Sequence, residues 1–340
     1  MSIPRYKFAI MLNGIYMYPW QIKVYEEIKK TGLADCELLI VKAEEPVSEK
    51  SILSKITNPS LLFEQFKKRK LNNCLYKPIE FEPLNSINQM QVQPEKNGIN
   101  GAYFNESDIQ EIKSRNLDFI IRFGFGILKG EILNAAKWGI WSFHHGDEQF
   151  FRGGPPGFWE IFKRNKQQGV ILQRLTEKLD AGKIILKRQY SVVSDNYVKN
   201  VTKLMIESAD MPAQVLQMIS NSLISIEAIE PVKTTATIYR YPTNLQFLRF
   251  QFTIFRNKMK YKWIKIGKQE NWIIGFRNKS DEDYKYIAHP VDGEYYADPF
   301  VFADNNKPYI VTEHYSYSTD RKSTRLNSSH IQKSRMPSSA

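Results

Sequence analysis

The chain has 340 residues, of which 42% are apolar and 25% charged, and a formal net charge of +12. That length buries one large core or two ordinary ones, and that apolar content excludes a chain that is mainly disordered. Arg321, Lys322, Arg325, Lys333 and Arg335 carry five of the charges with no acid among residues 321–340. The remaining +7 fits an anionic small substrate, nucleic acid or a membrane face and selects none of them.

Cys36 and Cys74 have neither a second pair nor nearby histidines, which reads as two unpaired thiols in a reducing compartment and no metal site. The apolar start, Phe8 to Tyr18, is broken by Asn13 and Gly14 and has no small-residue cleavage pattern. No apolar run approaches the roughly 20 residues of a membrane span, so the expectation is a cytoplasmic protein without one.

Lys7–Leu12 predicts a first strand, and Trp20, Val24 and Ile28 at four-residue spacing after Pro19 predict a helix. Cys36–Val41 reads as the next strand. After a loosely patterned stretch the alternation resumes with a helix at Asp108–Ser114, a strand at Leu117–Phe123, a helix at Lys129–Ala136 and a strand at Trp138–Phe143. Strands alternating with helices imply an α/β domain with an open, mostly parallel, Rossmann-like sheet. A helix from Pro155 to about Asn165, strands at Val170–Leu175 and Lys183–Val192, and a long helix capped by Ser194 or Asp195 and ending near Ser220 complete it.

This domain is expected to cover residues 1–230. Residues 231–270 read as a basic linker plus an amphipathic helix, with Arg240, Arg249, Arg256, Lys258, Lys260 and Lys262. Residues 271–320 change to short β-runs, Trp272–Phe276, Tyr284–Ala288, Pro299–Phe302 and Tyr309–Thr312, the opening of an all-β segment too short to bury its own core. Residues 321–340 are Ser-rich and without periodicity, and read as a disordered, non-native tail.

The densest polar cluster, Ser142-Phe143-His144-His145-Gly146-Asp147, lies at a strand end, where ligand sites of open α/β sheets collect. Arg152-Gly153-Gly154-Pro155-Pro156-Gly157 follows and leads into a helix whose start can receive an anion. Leu179-Asp180-Ala181-Gly182 places a carboxylate in a tight connection. Alone it is a turn former, and with the histidines it is a group that could orient an imidazole. Gly124-Phe125-Gly126 gives backbone access for a flat ligand, without the dinucleotide fingerprint.

In this order, Phe123-Gly124-Phe125-Gly126-Ile127-Leu128, Gly139-Ile140-Trp141-Ser142-Phe143-His144, Arg152-Gly153-Gly154-Pro155-Pro156, Gly169-Val170 and Leu179-Asp180-Ala181-Gly182 resemble the N-terminal catalytic domain of the folate-dependent formyltransferases. The resemblance implies transfer of a formyl group from 10-formyltetrahydrofolate to an amine, with no metal. It makes His144 and Asp180 catalytic and gives the pterin to Phe123–Leu128 together with Asp180. The family usually has Asn two residues before the histidine as an oxyanion donor, and Ser142 stands there. Loss of a well-placed oxyanion donor costs about 100- to 1000-fold, so Ser142, His145 or a backbone N–H would have to compensate. His145, Asp147, Arg152 and Gly153 fall on the substrate side, where Gly146-Asp147-Glu148-Gln149 would form an acidic rim suited to an amine.

The run from Tyr296 to Phe302 with Tyr309–Glu313 resembles the start of a glycosidase-like five-bladed propeller. That implies a sugar amine of a nucleotide-linked or surface-glycan intermediate as acceptor. Transfer to methionyl-tRNA, hydrolysis of formyltetrahydrofolate, and a degenerate folate- or glycan-binding module are the alternatives.

Overall fold

The computed structural model describes residues 5–43, 58–72, 75–96, 101–177, 182–232, 234–267, 274–277, 285–287, 294–304, 307–316 and 331–335. It divides into two compact units, Met1–Lys258 and Met259–Ala340.

In the first unit, β1 (Tyr6–Leu12), β2 (Ala34–Lys42), β3 (Asn88–Val92), β4 (Phe119–Arg122), β5 (Ile140–His144), β6 (Gln167–Arg174) and β7 (Lys183–Ser191) form one sheet. The strand order is β7-β6-β5-β4-β1-β2-β3. β1 to β5 are parallel to one another, and β6 and β7 join antiparallel. The fold is therefore α/β with a mostly parallel sheet, as the alternation of elements predicts.

The helices are α1 (Pro19–Lys30), α2 (Leu61–Phe66), α3 (Glu106–Ser114), α4 (Phe158–Phe162), α5 (Tyr197–Glu207), α6 (Met211–Ser220) and α7 (Asn244–Gly267). Phe8, Ile10 and Leu12 of β1 face one core, with Val24 and Ile28 of α1 and Leu204 of α5. Ala9 and Met11 face the second, with Ile109 and Ile112 of α3. A strand covered on both faces has no polar side to alternate with, which is why β1 reads as a continuous apolar run. α1 starts where Pro19 can occupy the first turn, with the Tyr18 N–H donating to Gln21 Oε1 at 2.8 Å, and it stops before Gly32 at φ +67°.

Several elements differ from their sequence expectation. Asn88–Val92 was hidden in the loosely patterned stretch because as an edge strand it buries only Met90 and Val92. Residues 129–136 are no α-helix: Leu128–Lys129 pairs with Ala102–Tyr103, and a 3-10 turn follows at Glu131–Asn134. The helix expected over 155–165 is shortened to α4, because Gly157 takes a left-handed conformation and Pro155 and Pro156 offer no N–H. The long helix ending near Ser220 is two, α5 and α6, with Asn196 as the α5 cap and Pro212 opening α6.

Residues 231–258 pack into the first unit. Ile238–Tyr239 pairs with Arg152–Gly153, and Phe250 of α7 is fully buried, stacked on Phe158 at 4.1 Å. In the second unit Glu294–Asp304 and Lys307–Ser316 form an antiparallel hairpin with a register shift between Ala297 and Phe300. Ile331–Arg335 adds a third strand, where the sequence reading has no regular structure. Gly275–Phe276 pairs separately with Lys285–Tyr286. Among the described residues no helix is long and apolar enough to cross a membrane.

Truncating Phe250 removes a ring from the first unit's core. Phe250→Ala should cost about 3–5 kcal/mol of unfolding free energy in urea titrations; a loss below about 1 kcal/mol would mean that the amino-terminal half of α7 is not part of that core.

Candidate active site

β1, β4 and β5 bring their carboxyl ends to one edge, the position at which open parallel sheets present ligand sites. After β1, the Asn13 side-chain oxygen accepts the Phe125 N–H at 2.9 Å. Gly124 passes so close to Asn13 that a Cβ there would lie 2.2 Å from its Oδ1. Phe125 and Gly126 both take positive φ, +69° and +66°. The left-handed conformation costs a non-glycine residue about 1–2 kcal/mol. The Asn13 bond and burial of the Phe125 ring against Phe104 at 5.7 Å offset it. The turn ends with the Gly126 carbonyl accepting from Arg122 Nη1.

Arg122, the last residue of β4, is in direct parallel register with Ser142 of β5, and Ser142 is in antiparallel register with Gln173 of β6. The three polar residues therefore form one row across the sheet. Arg122 donates to Ser142 Oγ from Nη2 at 2.9 Å and from Nε at 3.2 Å. Among the described residues no carboxylate pairs with Arg122. Burial lowers its guanidinium to about 10, so it remains charged at neutral pH.

His144, two residues beyond Ser142, shares its face of β5. Its Nε2 lies 3.1 Å from the Phe151 carbonyl, which only accepts, so this nitrogen carries the hydrogen. Arg122, Gly126, Ile127, Leu128, Phe143, His144, Gln173 and Gly182 line one cavity of about 170 Å³. Its far wall is tied down by Lys129, which donates to the Glu177 carbonyl, and by the Gly130 N–H, which donates to the Glu177 carboxylate.

The residues singled out from sequence thus separate. His144, Gly126, Ile127 and Leu128 come together on the cavity. Phe123 packs edge-on against Trp20 at 5.1 Å, and Gly124 and Phe125 shape the turn. Ser142 is 1% exposed and accepts from Arg122, so it does not present the hydrogen-bond donor expected of it to the cavity. Asp180 lies outside the described residues, as do Leu179, Ala181 and Cys74. Cys36 is a free thiol that burial pushes up to about 12.

The acidic rim does not form at Asp147. Burial raises its carboxyl, but hydrogen bonds from Lys187 at 2.8 Å, the Gln149 N–H and Gln189 outweigh this and hold it below the usual range. It lines a different cavity, with Phe150, Phe151 and Asn165. Arg152 donates to the Ala236 carbonyl at 3.1 Å, and Gly153 at φ +83° passes so close to Tyr239 that a Cβ would lie 2.1 Å from its carbonyl oxygen. Both serve the pairing with Ile238–Tyr239. His145 stacks on Phe143 at 5.6 Å and meets Trp20 edge-on at 5.4 Å, and its buried Nε2 has no hydrogen-bond partner among the described residues.

Asn13, Arg122 and Gln173 are the site residues that sequence reasoning missed. Arg122 left a signal: a charged residue inside the otherwise apolar run Phe119–Phe123, where charge is rarely buried.

No protein-family model matches the chain. Its sequence is similar to the methionyl-tRNA formyltransferase of Lysinibacillus sphaericus, 28% identical over 204 residues, 54% of this chain and 63% of the relative. It is also similar to that of Bacillus velezensis, 28% identical over 208 residues, 58% of this chain and 59% of the relative. These relatives support the formyltransferase family. The chain spans less than two thirds of the length of either. Among solved structures, an N-formyltransferase from Helicobacter canadensis in complex with folinic acid and dTDP-3-aminofucose aligns with a TM-score of 0.43 at 12% identity, over 74% of this chain and 80% of that one.

His145 gives the fold an acid sensitivity. Burial, with His144 beside it, lowers its pKa from 6.5 to about 3. Between those values the unfolded chain binds a proton that the folded chain refuses, so stability falls as pH falls through this window. Melting temperatures measured from pH 7 to pH 5 should drop more steeply for the wild type than for His145→Phe; parallel curves would remove His145 as the cause.

Proposed function

We propose that the first unit moves a formyl group from 10-formyltetrahydrofolate to an amine. The observation that carries this reading is the meeting of His144 with Gly126–Leu128 on one cavity at the carboxyl ends of β4 and β5. The motif order along the chain and the similarity to formyltransferases support it.

The residues present suit the pterin. Ile127, Leu128 and Leu175 supply apolar walls, and Gly126 supplies open backbone, a Cβ built there meeting no described residue within 4 Å apart from its chain neighbours. A flat heterocycle with hydrogen-bonding edges is held by such a combination. When bound, the folate supplies the activated formyl group. In this reading His144, oriented by Asp180, helps relay the proton that the amine gives up. His145, Arg152 and Gly153 act on the substrate side by shaping the 144–153 segment rather than by touching the amine.

The acceptor in this reading is a sugar amine on a nucleotide-linked or surface-glycan intermediate. Its support is the resemblance of Tyr296–Phe302 and Tyr309–Glu313 to a glycosidase-like propeller. Transfer to methionyl-tRNA is the second reading, favoured by the names of the curated relatives and by the exposed Arg249, Arg256 and Lys258 of α7.

Tetrahydrofolate release should depend on a nucleotide-linked amino sugar, stay near baseline in a water-only control, and fall at least about 100-fold in His144→Ala. Wild-type turnover in that variant would sink the assignment. A tRNA acceptor would instead reveal itself as RNA binding that weakens steeply as salt rises from 50 to 200 mM.

A further inference from the structure

We propose that Arg122 is a catalytic residue of this site: its guanidinium receives the negative charge that develops on the formyl oxygen, and Ser142 is the positioning residue that holds the guanidinium in place. The inference rests on the formyl-transfer reading above and names the residue that stabilises its charged intermediate.

In the transfer step the amine nitrogen forms the new C–N bond with the formyl carbon while the carbonyl π pair moves onto oxygen. The C=O bond then re-forms as the bond from the formyl carbon to N10 of the folate breaks, and N10 leaves with the proton lost by the amine. The oxygen is anionic only between these events, so a donor that meets it there lowers the barrier without tightening ground-state binding.

Ser142 is a poor candidate for that donor. It is 1% exposed, it does not line the cavity, and its Oγ accepts two N–H bonds from Arg122. The Nε2–H of His144 is directed to the Phe151 carbonyl. Arg122 does line the cavity, beside His144. Of the five N–H groups of a guanidinium, Nε and Nη2 each donate one to Ser142 Oγ and Nη1 donates one to the Gly126 carbonyl. One hydrogen on Nη1 and one on Nη2 have no partner among the described residues.

A buried cation is ordinarily matched by a carboxylate, because desolvation otherwise opposes it. Arg122 has none among the described residues. Its described anchors are neutral oxygens, which fix the direction of the guanidinium without neutralising it. That is the arrangement of a preorganised site for a transient anion: the parallel register of β4 and β5 sets Arg122 against Ser142, and the left-handed turn at Phe125–Gly126 aims a carbonyl at Nη1.

The test compares wild type, Arg122→Ala, Arg122→Lys and Ser142→Ala in the full chain. It measures turnover of 10-formyltetrahydrofolate with amine acceptors and with water, and calorimetric binding of folinic acid, whose formyl group sits on N5. Arg122→Ala should lower kcat by about 100- to 1000-fold while the folinic acid Kd changes by less than about threefold. Guanidinium ion at millimolar concentration should restore the Ala variant by roughly tenfold or more, and methylammonium should not, because only the planar fork fits both anchors. Ser142→Ala should show the same split between kcat and Kd with a smaller loss. If Arg122→Ala does not fold, Arg122→Lys decides: it keeps the charge and loses the fork, and it should retain binding with kcat reduced by about tenfold or more. Wild-type kcat in the Arg122 variants, or an equal loss of binding and turnover with no guanidinium rescue, overturns the proposal and leaves the formyl-transfer reading standing. A wild type that turns over the folate with no acceptor, water included, overturns both.

Discussion

β1, β4 and β5 are apolar on both faces, and that burial confines charge to the ends of the strands. Phe8, Ile10, Phe119, Ile121 and Trp141 fill one side, and Ala9, Met11, Ile120 and Ile140 the other. A polar side chain inside this layer would lack partners on either face. At the cavity end of these strands polar side chains enter the layer, with Arg122, Ser142 and Gln173 in register across three neighbouring strands and His144 two residues beyond Ser142. The row holds the cavity's position because moving any one of these strands by a residue would turn its polar group into a core.

The loops beyond the strands divide the work between shaping and binding. Phe123 and Phe125 are anchored in opposite directions, against Trp20 and Phe104, and the turn between them is closed by Asn13. Gly126, Ile127 and Leu128 emerge from that anchored turn as the cavity wall. The 144–153 segment has a similar economy. Asp147 and Glu148 are drawn onto Lys187 of β7, and Arg152–Gly153 is pinned to Ile238–Tyr239. The segment is thereby closed over His144, whose ring is held by the Phe151 carbonyl within the same loop.

The start of α7 belongs to this architecture through Phe247 and Phe250, while Leu245, Leu248, Phe252 and Phe255 remain exposed. The helix is therefore apolar on more than its buried face over its first half. Its periodicity alone could not distinguish a linker helix from one seated in a core, because the sequence pattern does not say which apolar stripe finds a partner.

Local chemistry in the sequence was enough for the α/β class, for the first strand and α1, for the strand ending at His144, and for the order of motifs that resembles the formyltransferases. Those features depend on near-neighbour effects: apolar runs of fixed length, a proline at a helix start, glycines at turns. The edge strand Asn88–Val92 was not legible, because half its residues face water and its pattern is short. Nor were the separate roles of His144 and His145, which are adjacent in sequence and point to opposite faces of a strand end. Only the tertiary structure decided that Asp147 is spent on Lys187, that Ser142 receives bonds instead of offering one to the cavity, and that Arg122 lines the same cavity as His144. The reason is physical. Arg122 and Ser142 are 20 residues apart in the chain and become hydrogen-bonded partners only through the parallel register of β4 and β5, which a crossover fixes and no local pattern encodes.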